Sequence, residues 1–341
     1  MRLLKWLGLG AAVWILYWGL AAWGLRGGLE AWFAEQQRQG WQVSYGDISS
    51  AGFPSRHVTR LEQPLLADPG TGAAWSADWI AFDSPALWPG TQSLRFAATP
   101  QRFSLFDQTR RLTAQDMRAD LHLAPGLALE LEQLSLSSAA WQIDDTTGPL
   151  WQAQDLALEM RQQDQPERYS LLAEAQQFSP TGLLTSGFGL PREDLPPSFD
   201  ALRLRAELTF DTPWDRRAIE LRRPQLRQIT LDLAEAQWGE MQFQAAGALE
   251  VDETGRLDGT LTVRAENWRA ILEVAERLSL LPPSTRNAVE QILALFSSAP
   301  DSADVTGKTK AERINTTLRF RQGQMWAGPL PLGPAPRLIL R

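Results

Sequence analysis

The sequence predicts a mainly β protein tethered by one N-terminal transmembrane helix. Three observations predict it: a long uncharged run near the N-terminus, two-residue alternation of apolar and polar side chains through most of the rest, and a helical pattern confined to one short later region. The expected body is a large antiparallel β-sheet, open as a groove or closed as a barrel or sandwich, with a short helical hairpin over residues 268–298.

The anchor comes first. Leu7 to Leu25 is nineteen residues without a charge, preceded by Arg2 and Lys5 and followed by Arg26. A run of about 18 or more apolar residues is long enough to cross the hydrocarbon core as a helix. Trp14, Tyr17, Trp18 and Trp23 suit a helix that stays in the membrane, since aromatic residues favour the interface. The leading basic residues favour a cytoplasmic N-terminus, which in a bacterium makes this a single-pass inner-membrane protein with its body in the periplasm. Two other readings stay open: a secretory signal cleaved after Gly19-Leu20-Ala21, and a buried core helix. Against cleavage, the run exceeds the roughly 7–15 residues of a signal core.

Composition narrows the function classes. Of 33 basic residues, Arg2, Lys5 and Arg26 flank the anchor, leaving 30 against 40 acidic ones and a body charge of −10. That balance argues against nucleic acid, which needs a basic patch, and against tight binding of the body to anionic head groups. There is no cysteine, so no disulfide framework is available, and folding must rest on the 44% hydrophobic residues.

Four segments follow from the pattern: the anchor 1–26, a β-rich half 27–178, a linker 179–200 rich in Pro, Gly and Ser, and a β-rich half 201–341. A short helix is predicted to continue from the membrane through Leu29 to Gln39. Alternation marks strands at Leu127–Leu136, Leu202–Phe210, Ile229–Leu233, Met241–Val251, Leu257–Val263 and Thr316–Phe320. In the first, the phase slips between Leu131 and Leu134, the mark of a β-bulge. Asp252-Glu253-Thr254-Gly255 reads as a hairpin loop with glycine in the left-handed position. Asn267 is placed to cap a helix carrying Ile271, Leu272, Ala275 and Leu278 on one face. Pro282-Pro283 ends it, and Ser284 is placed to cap a second helix with Val289, Ile292, Leu293 and Phe296 in a stripe. Ser297 to Glu312 is polar and uncapped, and reads as a mobile loop. Ala114-Gln115-Asp116-Met117 recurs as Ala153-Gln154-Asp155-Leu156, with Asp78-Trp79 a similar distance upstream. Such spacing suits a repeated hairpin unit; three short matches also arise by chance.

Trp41-Gln42-Val43-Ser44-Tyr45-Gly46, then Gly52-Phe53-Pro54 soon after an anchor, then Trp75 to Pro89 with Asp78-Trp79 and Ser84-Pro85, together resemble the bacterial family called domain of unknown function 2125 over the whole chain. Ala246 to Val251 and Gly255 to Leu261 are similar to a C-terminal hairpin of AsmA-like proteins. That likeness implies a membrane-anchored, periplasm-facing β-groove concerned with lipid homeostasis in the envelope. The chain is shorter than the large AsmA-like members, which counts against an envelope-spanning bridge.

Candidate sites are few. His57 and His122 are the only histidines and stand in no ligand or triad spacing, so with no cysteine, zinc and Cys/His catalysis find no residues. Asp144-Asp145 and Asp252 with Asp258 lack the ligand spacing of an EF-hand and suit turns. Arg216-Arg217 and Arg222-Arg223 have the chemistry for phosphate, but suit solvated edges. Gly52, Phe53 and Pro54 read as a structural bend, with Phe53 expected to anchor it in the core. The fifteen tryptophans read mostly as core and sheet-face residues, with a lipid-facing subset possible. No cofactor, metal or catalytic set is expected. The reading that survives is a non-enzymatic protein whose apolar sheet face, larger than two short helices can cover, holds phospholipid or another acyl-chain ligand. The alternatives are an envelope scaffold with a closed core that binds another protein, and a hydrolase.

Overall fold

The computed structural model describes residues 2–70, 72–88, 90–106, 108–126, 128–180, 196–220, 222–277, 286, 290–291, 293–294, 297–298 and 313–340. Helix α1 spans Arg2–Arg38 without a break. The uncharged run and the expected short helix merge because no proline precedes Pro54. The helix ends in a C-cap at Gly40 (φ +92°), where the N–H groups of Gly40 and Trp41 return to the carbonyls of Gln37 and Gln36.

Two compact units follow from the internal contacts: residues 1–125 with 134–149, and residues 126–133 with 150–341. This differs from the joint that composition suggested at 179–200. Phe178, Ser179 and the returning segment are fastened within the second unit: Ser179 pairs with Gln152, and Phe199 donates its N–H to the Phe178 carbonyl. Residues 181–195 of that linker lie outside the described residues.

In the first unit, β1 (Gln42–Ser44) and β2 (Ile48–Ala51) lead into a repeating course. Strands β3 (Arg56–Glu62), β4 (Leu65–Asp68), β5 (Ala73–Ser76) and β6 (Trp79–Pro85) form its first turn. Strands β7 (Thr91–Phe96), β8 (Gln101–Leu105), β9 (Gln108–Ala114) and β10 (Arg118–Leu123) form the second. Strands β11 (Leu131–Ser138), β12 (Trp141–Asp144), β13 (Pro149–Ala153) and β14 (Asp155–Gln162) form the third, of which residues 131–133, 150–153 and β14 belong to the second unit. In every turn the outer two strands join a longer sheet and the inner two a smaller one, ordered β1-β4-β5-β8-β9-β12-β13. The three sequence matches fall at the same corner: Ala77, Ala114 and Ala153 are buried where the chain leaves the smaller sheet for the longer. A small apolar residue fits a corner where two sheets converge. The core of this unit is Phe33 of α1 with Ile48, Leu61 and Ile80, flanked by Trp32, Tyr45, Trp75 and Phe96.

The second unit continues from β14 with β15 (Arg168–Gln176), β16 (Ala201–Phe210), β17 (Leu226–Trp238), β18 (Met241–Val251), β19 (Leu257–Glu266), β20 (Ser297–Ser298), β21 (Arg313–Arg321), β22 (Gln324–Ala327) and β23 (Leu330–Pro334). Its antiparallel order is β14-β15-β16-β17-β18-β19-β21-β22-β23, with β20 paired to β21. A four-residue helix, α2 (Arg217–Glu220), lies in the β16–β17 connection, and α3 (Trp268–Arg277) follows β19.

Several expectations need correction. Strand β11 starts at Leu131, not Leu127, because Leu129 takes a left-handed conformation (φ +51°). Strand β17 is thirteen residues long and bulged between Leu231 and Ala234. The bulge leaves Leu233 opposite Arg205 and hands the apolar face to Ala234 and Ala236. Asn267 (φ +52°) donates its side-chain amide to the Glu240 carbonyl, 2.6 Å away, tying the start of α3 to the β17–β18 turn. Ser297-Ser298, expected in a loop, is the short strand β20. Residues 299–312, and most of the helix expected after Ser284, lie outside the described residues.

Candidate functional site

The first candidate is the junction of α1 with β3 and β6. The Trp14 indole donates to the Pro54 carbonyl (3.1 Å), the Tyr17 hydroxyl to the Ala86 carbonyl (2.7 Å), and the Trp18 indole to the Arg56 carbonyl (2.8 Å). One face of the helix thus supplies donors to carbonyls at one end of the sheet, while Phe33, four turns on, fills the core at the other. Three of the four aromatics expected at the membrane interface therefore bind the protein's own body. Trp23 stays exposed.

Gly52-Phe53-Pro54 makes the bend that receives them. Gly52 has φ +100°, and a Cβ there would fall 2.7 Å from the Arg56 carbonyl oxygen, so only glycine fits. The Phe53–Pro54 peptide is cis. Phe53 is not in the core: it is 53% exposed, with its ring edge-on to Trp18 at 5.6 Å. An apolar ring needs burial, and here the helix offers part of it.

Next to the bend, His57 is 5% exposed and stacks on Trp18 with centroids 5.0 Å apart. Neither ring nitrogen has a hydrogen-bond partner among the described residues. Burial therefore holds its pKa below the ordinary 6.5 and favours the neutral ring. The Asp83 carboxylate, also buried, accepts from Arg56 (2.6 Å) and Arg95 (3.1 Å). His122 is far simpler, an exposed residue of β10 opposite Thr91.

The second candidate is one face of the second unit's sheet. Directly opposed residues in antiparallel strands share a face. Following the register gives the row Leu156, Ala175, Leu202, Ala236, Phe243, Ala265, Ile314, in which large and small side chains alternate strand by strand. The neighbouring row is Leu158, Ala173, Leu204, Ala234, Ala245, Val263, Thr316, and the next runs Met160, Leu171, Ala206, Leu231, Gly247, Leu261, Leu318. Seven strands cover about 29 Å at the usual strand spacing. The leucines in these rows are only half-buried, and Phe243 is 37% exposed. One end of the face is closed by Leu249, Val251, Leu257 and Phe320 under the C-terminal Ala335 and Leu338. The other end is closed by Phe199 stacked on Trp238 at 4.6 Å. The opposite side of the same strands is polar, with Arg203 between Glu174 and Glu235 and with Arg264 and Arg319.

The charged candidates resolve into local ties. Asp145 accepts from the Thr147 hydroxyl and from the N–H groups of Thr147 and Gly148, and Asp252 from the N–H groups of Arg256 and Thr254 and from the Thr254 hydroxyl. These donors hold both carboxyls below the usual range. Gly255 takes φ +76° in that turn, as its spacing predicts. Arg217 pairs with Asp215 and Arg222 with Asp211. A cleft of about 530 Å³ brings Glu250, Asp252 and Asp258 near Arg227 and Arg256, but Asp252 there is the turn's own acceptor.

Sequence reasoning missed the ladder from α1 to the sheet. Its only trace was that Trp14, Tyr17 and Trp18 lie within one helical turn of each other and so share a side.

The sequence matches the model of a family described as an uncharacterized protein conserved in bacteria, domain of unknown function 2125, over residues 18–336. No curated protein and no solved structure matches the chain.

Proposed function

The chain belongs to the domain of unknown function 2125 family, and from that premise we propose that it is a membrane-anchored, non-enzymatic protein that holds lipid acyl chains on the apolar face of its second unit. One observation carries the reading: three largely apolar rows run across seven strands of a single sheet, and their leucines stay half-buried while Met160, Ala206, Ala245, Val263 and Ile314 are buried. The Leu249–Phe320 end of the face is covered by Ala335 and Leu338, whereas the leucines of the three rows stay half-buried. On this reading the alanines and the glycine beside larger neighbours give an acyl chain room to lie along the face. Burying each methylene stabilises by roughly 0.8 kcal/mol, so a long chain is held without charged contacts.

Helix α1 is long and apolar enough to span a membrane. The basic residues before it favour a body on the periplasmic side of a bacterial inner membrane, within reach of lipid in transit. The similarity to AsmA-like hairpins at Ala246–Leu261 supports the same role in lipid traffic or homeostasis. Against an enzyme stands the role of Asp215 and Asp252, which accept from Arg217 and from the N–H groups of a turn and whose carboxyls are thereby held below the usual range. The second reading is a scaffold whose apolar face closes on protein instead.

A photoreactive benzophenone amino acid placed at Leu204 or Leu231 tests the assignment in cells. Adducts of phospholipid mass are expected from both positions and not from Arg205 or Thr230 on the polar face. Protein-only adducts from Leu204 and Leu231 would favour the scaffold.

A further inference from the structure

The helix that anchors the chain is tied to the body by three side-chain hydrogen bonds from Trp14, Tyr17 and Trp18. Only Arg2–Val13 precede the first contact at Trp14, and twelve helical residues reach about 18 Å. A hydrocarbon core is about 30 Å thick. The remaining length has to come from Trp14–Leu25, the stretch that lies beside β3 and β6.

If Leu7–Leu25 fills the hydrocarbon, Trp18 lies seven residues inside its outer end, about 10 Å deep. The sheet end bonded to Trp18 descends with it. We infer that the β2–β3 and β6–β7 loop tips, carrying Phe53, Leu87 and Trp88, are embedded in the outer leaflet of the same phospholipid bilayer that α1 crosses. The inference rests on the anchoring reading, but not on the acyl-chain groove.

The chemistry of the two loops fits that occupant. Ile48 to Ser55 and Ser84 to Gly90 contain no charged residue. Leu87 is 72% and Trp88 52% exposed, a poor arrangement in water and a good one in lipid. The loops are joined, since the Ala86 N–H donates to the Ser55 carbonyl at 2.9 Å. Arg56, whose own carbonyl bonds Trp18, and Arg95 flank the buried Asp83, and the surplus cation has a long stem suited to reach from that depth toward lipid phosphates. The exposed residues Ser49, Ser50 and Ala51 along the edge strand β2 are uncharged as well.

The chain has no cysteine, so single substitutions give clean labels. Phe53→Cys and Leu87→Cys, each carrying a nitrobenzoxadiazole fluorophore, are placed in the full chain in phosphatidylcholine–phosphatidylglycerol vesicles containing spin-labelled acyl chains. Gly10→Cys reports the span itself, and Gln115→Cys reports the far end of the sheet. Quenching at 53 and 87 is expected to exceed that at 115 several-fold and to approach that at 10. Quenching at 10 with labels at 53 and 87 no more quenched than at 115 would overturn the embedding and leave the anchor intact. A water-exposed label at 10 would overturn the anchor and the embedding together. Leu87 makes a safe second position, because its exposed side chain bears no load in the fold.

Discussion

The indole nitrogen of Trp18 lies 2.8 Å from the carbonyl oxygen of Arg56, so the most apolar helix of the chain is hydrogen-bonded to the first long strand of its body. Trp18→Phe keeps most of the stacking on His57 and removes the donor. The expected cost is about 1 kcal/mol in the helix–sheet contact. Hydrogen exchange at the β3 amides checks it: opening is expected to become several-fold more frequent in β3 and to stay unchanged in β18.

Gly52→Ala is expected to be worse. The added Cβ meets the Arg56 carbonyl at 2.7 Å and the backbone has φ +100°, so both packing and conformation oppose it. A loss of about 1–3 kcal/mol follows from strain of this kind. Thermal unfolding of the detergent-solubilised chain, followed by near-ultraviolet dichroism of the Trp18–Phe53 region, reads the change. Gly10→Ala, where a Cβ meets nothing within 4 Å, serves as the matched control.

His57 makes the junction sensitive to acid. Burial holds its folded pKa below the unfolded value of about 6.5, so the unfolded state binds the proton first. Its contribution is fully present above about pH 6.5 and falls as pH drops from there toward the folded pKa. The slope for one such group is at most about 1.4 kcal/mol per pH unit. Denaturant titrations between pH 7.5 and 5, a window of order one to two units around the reference value, are expected to show this loss in the wild type. In His57→Phe the slope over the same window is expected to flatten; an unchanged slope would assign it to another group.

Local periodicity made the second unit legible. Leu202–Phe210, Met241–Val251 and the Asp252–Gly255 loop stand where alternation and turn chemistry put them, because each strand there has one wet face. The bulge in β17 was hidden, since Ile229, Leu231 and Leu233 alternate cleanly and only the pairing with Arg205 shows that Leu233 has changed sides. In the first unit the strands are shorter, and partly buried on both faces where helix and smaller sheet cover them, so alternation fades. The matches at Asp78-Trp79, Ala114–Met117 and Ala153–Leu156 were visible as a repeat without showing what repeats. The Trp18–Arg56 bond was illegible, because a main-chain acceptor leaves no mark on the residue that carries it. The assignment of Phe53 to the core failed for a related reason: the residue that shelters it is thirty-five positions away in the helix.

The most direct measurement of the lipid-holding face is native mass spectrometry of the full chain, released from detergent, for wild type and Ala236→Trp. Ala236 is the small residue between Leu202 and Phe243, and tryptophan there fills the channel from within. The account predicts a wild-type population carrying one or more phospholipid masses that survive detergent exchange, and a several-fold smaller bound fraction in the variant with its fold retained by circular dichroism. A wild-type chain that is free of lipid after mild extraction, or a bound fraction that Ala236→Trp leaves unchanged, would contradict it.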